Sequence, residues 1–417
     1  MKKRHVILSM VLVLLLSSIG YTPSDAKGAE YAISWGKEQW QNGKAVKRNN
    51  EWYIPVTALG QAYGIKAQTS HKGKVLNLSD TVQMNPSFRF QPKYYENEVI
   101  TIMYHNIEQN PKDVTFISPQ QLEDQITNLL AHGFNVISMN DYMQYMLNGK
   151  PVPDNAVLLT FDDGYETFYT YVYPLFRKYN LTATNFVIVS AIDNRAHVGR
   201  RKLTWEQMRE MKQAGFSFFS HTYNSHSYAP INSRGVMKPM LTRYLYNNKT
   251  KQTESREQYL ARVHGDLAMA ERRLKEELQN PYSVLAFPYG AFNKDVLRIC
   301  KGLGINVTFT VKRGINDRDT RNGFRINGGN QNIKTQDLME QLRNRGVKSK
   351  QKPSYEVTWN GVGVAFKHSP FQQSGRWYLS LEDLQRTFGV RYQVDAATRT
   401  VQLFPGKYDA AHKIEPH

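Results

Sequence analysis

Residues 156–165 read Ala-Val-Leu-Leu-Thr-Phe-Asp-Asp-Gly-Tyr, a mostly apolar run that ends in two adjacent carboxylates and a glycine. A short apolar run without alternation is typical of a strand buried on both faces. Carboxylates at the exit of such a strand are costly to bury unless charge or hydrogen bonds compensate them. Neighbouring side chains of a strand point in opposite directions, so Asp162 and Asp163 can serve one site only if the chain turns there, which Gly164 permits.

Similar units extend outward from this run over residues 98–347, where short apolar segments alternate with amphipathic ones. Strands are predicted at 99–104, 135–138, 156–161, 183–189, 216–220, 284–287, 306–311 and 324–326, and helices at 119–132, 204–214, 256–278 and 294–303. This alternation predicts an α/β fold, a closed parallel barrel with its chemistry at the carboxyl ends of the strands. The polar, basic stretch 227–258 interrupts the pattern and is predicted to be a loop excursion over one face.

A second polar cluster, Ser-His-Thr-Tyr-Asn-Ser-His at residues 220–226, follows another predicted strand. Two imidazoles and one carboxylate suit a divalent ion such as zinc, cobalt, nickel or iron, and three protein ligands leave a position open for water. The residues alone leave the alternative of an acidic loop and unrelated surface histidines open.

The segments 160–164 and 220–226 resemble the first two motifs of the polysaccharide deacetylases, carbohydrate esterase family 4, and residues 287–290 (Phe-Pro-Tyr-Gly) resemble the third. The resemblance implies a distorted (β/α) barrel of about seven strands that removes acetyl groups from N-acetylglucosamine units with one divalent metal ion, zinc first.

The resemblance also assigns roles to residues. It implies that Asp163, His221 and His226 hold the metal ion and that Asp162 is the catalytic base. The backbone N–H of Tyr289 would bind the oxyanion. Further expected substrate contacts are Pro288, Tyr165 and Tyr223.

Two features depart from the family pattern. The arginine that usually begins the third motif is replaced by Ala286 and Phe287, and the late Leu-x-His motif is absent, since no histidine lies between His264 and His368. The segment around His105 is similar to one in the deacetylases of poly-β-1,6-N-acetylglucosamine, which implies that His105 is the general acid. Arg325 is the candidate for the missing positive charge near Asp162.

A repeat flanks the central region. Residues 52–78 recur as 377–403 without a gap, for example Trp-Tyr-Ile at 52–54 as Trp-Tyr-Leu at 377–379. Each copy is predicted as a strand, a short helix (56–63; 381–388) and two further strands, and resembles the copper-amine-oxidase N-terminal-like domain. Neither copy contains a cluster of metal ligands in sequence. A purely structural module and a wall- or glycan-binding module both remain open, as does their mutual packing.

The predicted organisation is a signal peptide (1–29), a small α+β module (30–85), the deacetylase barrel (86–350), a second small module (351–405) and a tail (406–417). A basic start, Lys-Lys-Arg at 2–4, precedes the apolar residues 6–19, as in secretory signal peptides. An uncleaved anchor remains an alternative. We therefore expect a secreted or cell-surface protein.

The formal net charge of +18 indicates contact with anionic polymers. Export favours cell-wall polymers over nucleic acid as partners. The lone cysteine, Cys300, excludes an intrachain disulfide and is expected to be buried and inert.

The predicted function is a metal-dependent de-N-acetylase of a polysaccharide containing N-acetylglucosamine, with the poly-β-1,6-linked polymer favoured. Peptidoglycan or chitin deacetylation, xylan O-acetyl esterase activity and a catalytically silent glycan-binding protein are the alternatives. The identity of the metal ion and the oligomeric state are open.

Overall fold

The computed structural model describes residues 29–35, 38–63, 65–70, 75–80, 93–194, 196, 199–346, 356–359, 362–364, 366–388 and 390–404. The predicted signal peptide (apart from Ala29), the predicted tail and the predicted domain boundaries at 85/86 and 350/351 lie outside these residues. Within the described ranges, no helix is both long and apolar enough to cross a membrane.

The elements fall into three successive parts of the chain. The first part contains strands β1 (Glu30–Trp35), β2 (Glu38–Arg48), β3 (Glu51–Pro55), β4 (Ile65–Ser70) and β5 (Val75–Asp80), and helix α1 (Val56–Tyr63). The strands of the central part are β6 (Val99–Tyr104), β7 (Asn135–Ile137), β8 (Ala156–Asp162), β9 (Thr184–Val187), β10 (Ser217–Ser220), β11 (Tyr228–Pro230), β12 (Met237–Pro239), β13 (Tyr246–Asn247), β14 (Gln252–Thr253), β15 (Val284–Ala286), β16 (Val307–Phe309), β17 (Asn322–Gly323) and β18 (Ile326–Asn327). Its helices are α2 (Pro119–Ala131), α3 (Met139–Asn148), α4 (Tyr173–Lys178), α5 (Val189–Asp193), α6 (Trp205–Gln213), α7 (Arg256–Leu278), α8 (Lys294–Gly302) and α9 (Thr335–Arg343). The last part contains β19 (Glu356–Trp359), β20 (Val362–Val364), β21 (Phe371–Gln373), β22 (Arg376–Ser380), helix α10 (Leu381–Phe388), β23 (Arg391–Asp395) and β24 (Thr400–Phe404).

The central part is a curled parallel sheet in the order β17-β16-β15-β10-β9-β8-β6-β18, with β7 paired to β8. Strands β17 and β18 lie in one segment, 322–327, which pairs with β16 at one end of the sheet and with β6 at the other. This segment brings the two ends of the sheet together, so six strands and one shared segment form a distorted barrel. The predicted fold class, a (β/α) barrel of about seven strands, is confirmed.

Alternation along β8 determines what faces the inside of the barrel. Val157, Leu159 and Phe161 pack outward against the surrounding helices, whereas Leu158 belongs to the inner core. Asp162 follows Leu158 by two full periods of the strand, so the two side chains lie on the same face. The side chain of Asp162 therefore faces the barrel interior at the mouth. The predicted excursion at 227–258 contains two small hairpins, β11–β12 and β13–β14.

The two repeats form one joint unit, which the sequence had left open. Strand β24 of the second copy pairs parallel with β1, β5 of the first copy pairs parallel with β19, and β22 pairs antiparallel with β3. Each copy thus places its last strand beside the first strand of the other, and apolar residues from both copies share one core. The helices α1 and α10 have the predicted bounds.

Two single residues, Trp52 in the flanking unit and Cys300 in the central part, are both removed from solvent to a large extent. Trp52, in the first repeat, is half-buried, and its ring centroid lies 4.4 Å from that of Tyr31. Cys300 is buried, and burial raises the pKa of its thiol to about 12, consistent with an inert thiol.

Candidate metal centre and active site

The two aspartates are separated by a sharp turn at the end of β8. Asp163 and Gly164 both have positive φ, 76° and 68°, so the chain turns directly after Asp162, as the sequence predicted. A Cβ atom at position 164 would lie 3.0 Å from Cγ1 of Val187, and the Gly164 N–H donates to Oδ1 of Asn185 at 3.1 Å. Glycine is therefore required here by both conformation and space.

The two histidines approach Asp163 from the end of β10. Nε2 of His221 lies 3.6 Å and Nε2 of His226 lies 3.2 Å from Oδ1 of Asp163. Nδ1 of His221 is 2.7 Å from the carbonyl oxygen of Ala286, a contact in which Nδ1–H donates and leaves Nε2 free as a ligand. Burial lowers the pKa of His221 to about 4, against the opposing effect of Asp162, so its imidazole is neutral at neutral pH.

These three side chains fit a metal ion. One ligand atom from each lies within 4.8 Å of the others. Oδ1 of Asp163 is buried and has no hydrogen-bond partner among the described residues, an expensive state for a carboxylate oxygen unless a cation binds it. One carboxylate and two neutral imidazoles match the ligand preference of zinc and its neighbours in the first transition row.

Arg325 lies beside Asp162 and supplies the positive charge that the usual third-motif arginine would provide. Its guanidinium donates two hydrogen bonds to Asp162, from Nη1 to Oδ1 at 2.7 Å and from Nη2 to Oδ2 at 2.8 Å, while Nε donates to the carbonyl oxygen of Thr310 at 2.8 Å. Both side chains are buried. Burial acts to raise the pKa of Asp162, but Arg325, with smaller effects of His221 and His105, outweighs burial. The pKa falls to about 2, so the carboxylate is ionised.

His105 follows β6, the strand next to β8 in the barrel. Tyr104 pairs with Phe161, so His105 and Asp162 come one position further along two adjacent strands. His105 also acts electrostatically on Asp162. Its Nδ1 is buried without a hydrogen-bond partner among the described residues.

The third-motif residues adjoin the histidines. Tyr289 has a φ of 57°, and its ring lies 4.7 Å from that of His226, with its hydroxyl 3.5 Å from Nδ1 of His226. Tyr289 remains 41% exposed, so its ring is accessible to a ligand, whereas Pro288 is buried. Burial, with the negative charge of nearby Asp163, raises the pKa of the Tyr165 hydroxyl.

Tyr223, an expected substrate contact, lies against the outer core of the barrel. The ring of Trp205 packs against the same core. The indole of Trp205 donates to Asp193 at 3.0 Å. Both rings are partly buried in this packing, and the substrate contact expected of Tyr223 stays a prediction.

Two functional candidates were missed from the sequence. Asp266, on α7, accepts the backbone N–H groups of Tyr223 at 3.1 Å and Asn224 at 2.7 Å, and so holds the loop between the two histidine ligands. Lys202 donates from Nζ to the carbonyl oxygen of Asp163 at 2.9 Å, and burial lowers its pKa to about 8. Neither residue belongs to a motif, and only the tertiary contacts reveal them.

A second group of possible metal ligands, Glu51, His368 and Glu382, lies in the flanking unit. It is assembled from both copies of the repeat, so neither copy shows it alone. Its members are already engaged: Glu51 accepts from the Ser380 hydroxyl at 3.0 Å and from the N–H of Glu382 at 3.1 Å, and Lys367 pairs with Glu382 at 2.9 Å. The group therefore caps α10 and joins the repeats.

The mouth of the parallel barrel thus contains an Asp-His-His group beside a buried, ionised aspartate. The comparison with known families is more specific. Residues 149–308, within the central part of the chain, match the polysaccharide deacetylase family.

Named relatives agree with this assignment. A poly-β-1,6-N-acetyl-D-glucosamine N-deacetylase of Escherichia coli K12 is 30% identical over 233 residues, which are 52% of this chain and 34% of that protein. The chain thus spans about a third of that relative. The enzyme of the same name from Staphylococcus aureus MRSA252 is 26% identical over 235 residues, 53% of this chain and 74% of that protein.

A solved structure supports the fold. A de-N-acetylase from Aggregatibacter actinomycetemcomitans aligns with a TM-score of 0.54 at 23% identity, covering 59% of this chain and 99% of the other. At this identity the likeness shows that the two proteins share the barrel.

Proposed function

We propose that this protein is a metal-dependent polysaccharide de-N-acetylase that hydrolyses acetamide groups of N-acetylglucosamine units. The observation that carries the proposal is that three kinds of group meet at one barrel mouth. They are the Asp-His-His metal-ligand group with its unpartnered carboxylate oxygen, the buried and ionised Asp162, and His105, whose Nδ1 has no partner among the described residues. Amide hydrolysis requires a base, an acid and a polarising charge, and this arrangement offers all three.

Asp163, His221 and His226 would hold the ion. When bound there, a divalent metal ion polarises the acetamide carbonyl and makes a water molecule a stronger acid. Zinc is favoured by the ligand set, with cobalt, nickel and iron also compatible.

Asp162 takes the proton of the attacking water, because it is ionised and held in a fixed orientation by Arg325. Attack on the carbonyl carbon places negative charge on the acetamide oxygen, next to which the Tyr289 backbone would donate. His105 delivers a proton to the departing nitrogen as the carbon–nitrogen bond breaks. The products are acetate and a free amine on the sugar.

The favoured substrate is poly-β-1,6-N-acetylglucosamine. The names of the Escherichia coli and Staphylococcus aureus relatives support this linkage. A basic start followed by an apolar stretch supports export, and the net charge of +18 supports contact with anionic cell-wall polymers.

The test is acetate release from poly-β-1,6-N-acetylglucosamine, chitin oligomers and acetylxylan by protein that is first stripped of metal and then loaded with zinc. Release from the β-1,6 polymer that needs the ion and is lost in Asp163→Ala and His105→Ala is the expected result. His264→Ala is the matched control, because His264 is exposed on α7.

Release from chitin oligomers alone would refute the linkage, and preferential release from acetylxylan would make the protein an ester hydrolase. If zinc binds but no acetylated glycan is cleaved, the catalytic proposal is wrong and a glycan-binding role takes its place.

A further inference from the structure

The hairpin β11–β12 presents an apolar face that the catalytic proposal does not use. Tyr228 pairs with Pro239 and Pro230 pairs with Met237, so these four side chains share one face of the two-stranded ribbon. Tyr228 is 48% and Met237 is 50% exposed. Exposed apolar side chains gathered on one face mark an interaction site more often than scattered ones do.

This face is continuous with the candidate metal centre. The Tyr228 ring lies 4.7 Å from the Tyr289 ring, at an angle of 61°, and the Tyr289 ring lies 4.7 Å from that of His226. Two ring-to-ring steps therefore lead from a candidate metal ligand to the hairpin. Because Tyr289 is itself 41% exposed, the two tyrosines offer accessible rings on the same side of the site.

We propose that Tyr228 and the apolar face of its hairpin form a subsite for a neighbouring sugar unit of the polymer, next to the unit whose acetamide reacts. The proposal rests on the proposed function, since it takes its ligand from the substrate class of that site. The C–H groups of a pyranose ring and the methyl group of an acetamide are apolar surfaces that a tyrosine ring can cover while its hydroxyl stays in water.

The chemistry of the face suits a polymer that changes charge during the reaction. Tyr228, Pro230, Met237 and Pro239 carry no charge, so the face would accept acetylated and deacetylated units alike. The cation of the hairpin strands, Lys238, pairs with Ala229 and so belongs to the opposite face. A face with cations would repel a unit that already carries a free amine.

The experiment measures binding of β-1,6-linked N-acetylglucosamine disaccharide and pentasaccharide to metal-free full-length protein by titration calorimetry, with acetate release by the zinc-loaded protein assayed in parallel. We expect Tyr228→Ala to weaken pentasaccharide binding about tenfold, equivalent to about 1.4 kcal/mol. Disaccharide binding should change much less, and Tyr228→Trp should restore the affinity for the pentasaccharide.

Tyr244→Ala is the matched control. Tyr244 is exposed to 40% and belongs to the same excursion, but its ring packs edge-on against Tyr259 at 4.9 Å. This variant should bind both saccharides as the unaltered protein does.

The outcomes separate the two proposals. Normal pentasaccharide binding by Tyr228→Ala, in a protein that releases acetate, overturns the subsite and leaves the function standing. Tyr228-dependent binding without acetate release from any glycan overturns the catalytic function and supports the subsite. If the hairpin instead binds phosphatidylglycerol vesicles, and Tyr228→Ala abolishes that binding while saccharide binding is unchanged, the face is a lipid contact and the proposal is wrong.

Discussion

Removal of the Arg325 guanidinium is the sharpest perturbation of the barrel mouth. The ion pair with Asp162 is buried on both sides, with nitrogen–oxygen distances of 2.7 and 2.8 Å. Breaking a buried pair by removing one partner typically costs about 3–5 kcal/mol, because the other charge remains buried and unpaired. We expect Arg325→Met to lower the free energy of unfolding of the barrel by this amount at neutral pH.

The stability that the Asp162–Arg325 pair contributes depends on pH. In the native protein the pKa of Asp162 is about 2, below its ordinary value of 3.8, so the pair stabilises the fold fully above pH 3.8 and loses that contribution as the pH falls toward 2. Without Arg325, burial still acts to raise the pKa of the carboxyl, and only the weaker electrostatic effects of His221 and His105 oppose it, so the pKa should rise. The stability difference between Arg325→Met and the unaltered protein should therefore be largest at neutral pH and shrink in acid.

Urea denaturation of the metal-free protein at pH 7 and pH 4, with hydrogen exchange of the β8 amides as a local measure, tests this. The double variant Asp162→Asn, Arg325→Met, which removes both charges, should recover at least half of the loss. Arg298→Met should cost less than about 0.5 kcal/mol, because Arg298 is 71% exposed in its pair with Asp295. A loss below about 1 kcal/mol for Arg325→Met, or an equal loss at both pH values, would refute the reasoning.

Three further predictions follow from other contacts. Asp266→Asn should weaken zinc binding about 10–100-fold in titration calorimetry, because an amide has one oxygen where the carboxylate accepts two backbone N–H groups; unchanged affinity would show that the loop is held otherwise. Glu271 has a carboxylate oxygen buried without a hydrogen-bond partner in the described structure, and burial raises its pKa from 4.5 to about 7. The free energy of unfolding of the native protein should therefore fall by up to about 3 kcal/mol as the pH rises from 4.5 past 7. Glu271→Gln should remove this loss in thermal melts across pH, whereas exposed Glu276→Gln should keep it, and identical curves for all three proteins would contradict the prediction. Deletion of residues 351–417 should make residues 29–80 sensitive to limited proteolysis while 93–346 stay resistant, since β1, β3 and β5 lose their partner strands; protection of 29–80, read by mass spectrometry, would show that the first repeat folds alone.

The sequence was informative wherever the controlling interactions are local. The strand at 156–162 and the helix at 256–278 follow from apolar runs and periodicity, and the turn at Gly164 follows from two adjacent acids that have to share a site. The resemblance supplied the roles of the motif residues. The structure brings all of these except Tyr223 to one mouth, where parallel strands end together.

The tertiary structure decided which distant groups complete the site. Arg325 lies 163 residues from Asp162, and Asp266 lies 42 residues from Asn224, with no spacing that a sequence pattern could register. The joining of the repeats likewise depends on strand pairings between segments separated by the whole barrel.

The physical reason is that strands and helices depend on neighbouring residues, whereas the partners of buried charges come from distant parts of the chain. Periodicity depends on neighbouring residues, so the sequence by itself determined most of the barrel strands, the helices α2, α6, α7 and α8, and the polar residues at the strand ends. A buried charge or an orphaned backbone group has to be compensated by whatever part of the chain the packing brings near it. Only the folded barrel determines that Arg325 pairs with Asp162 and that Asp266 holds the histidine loop.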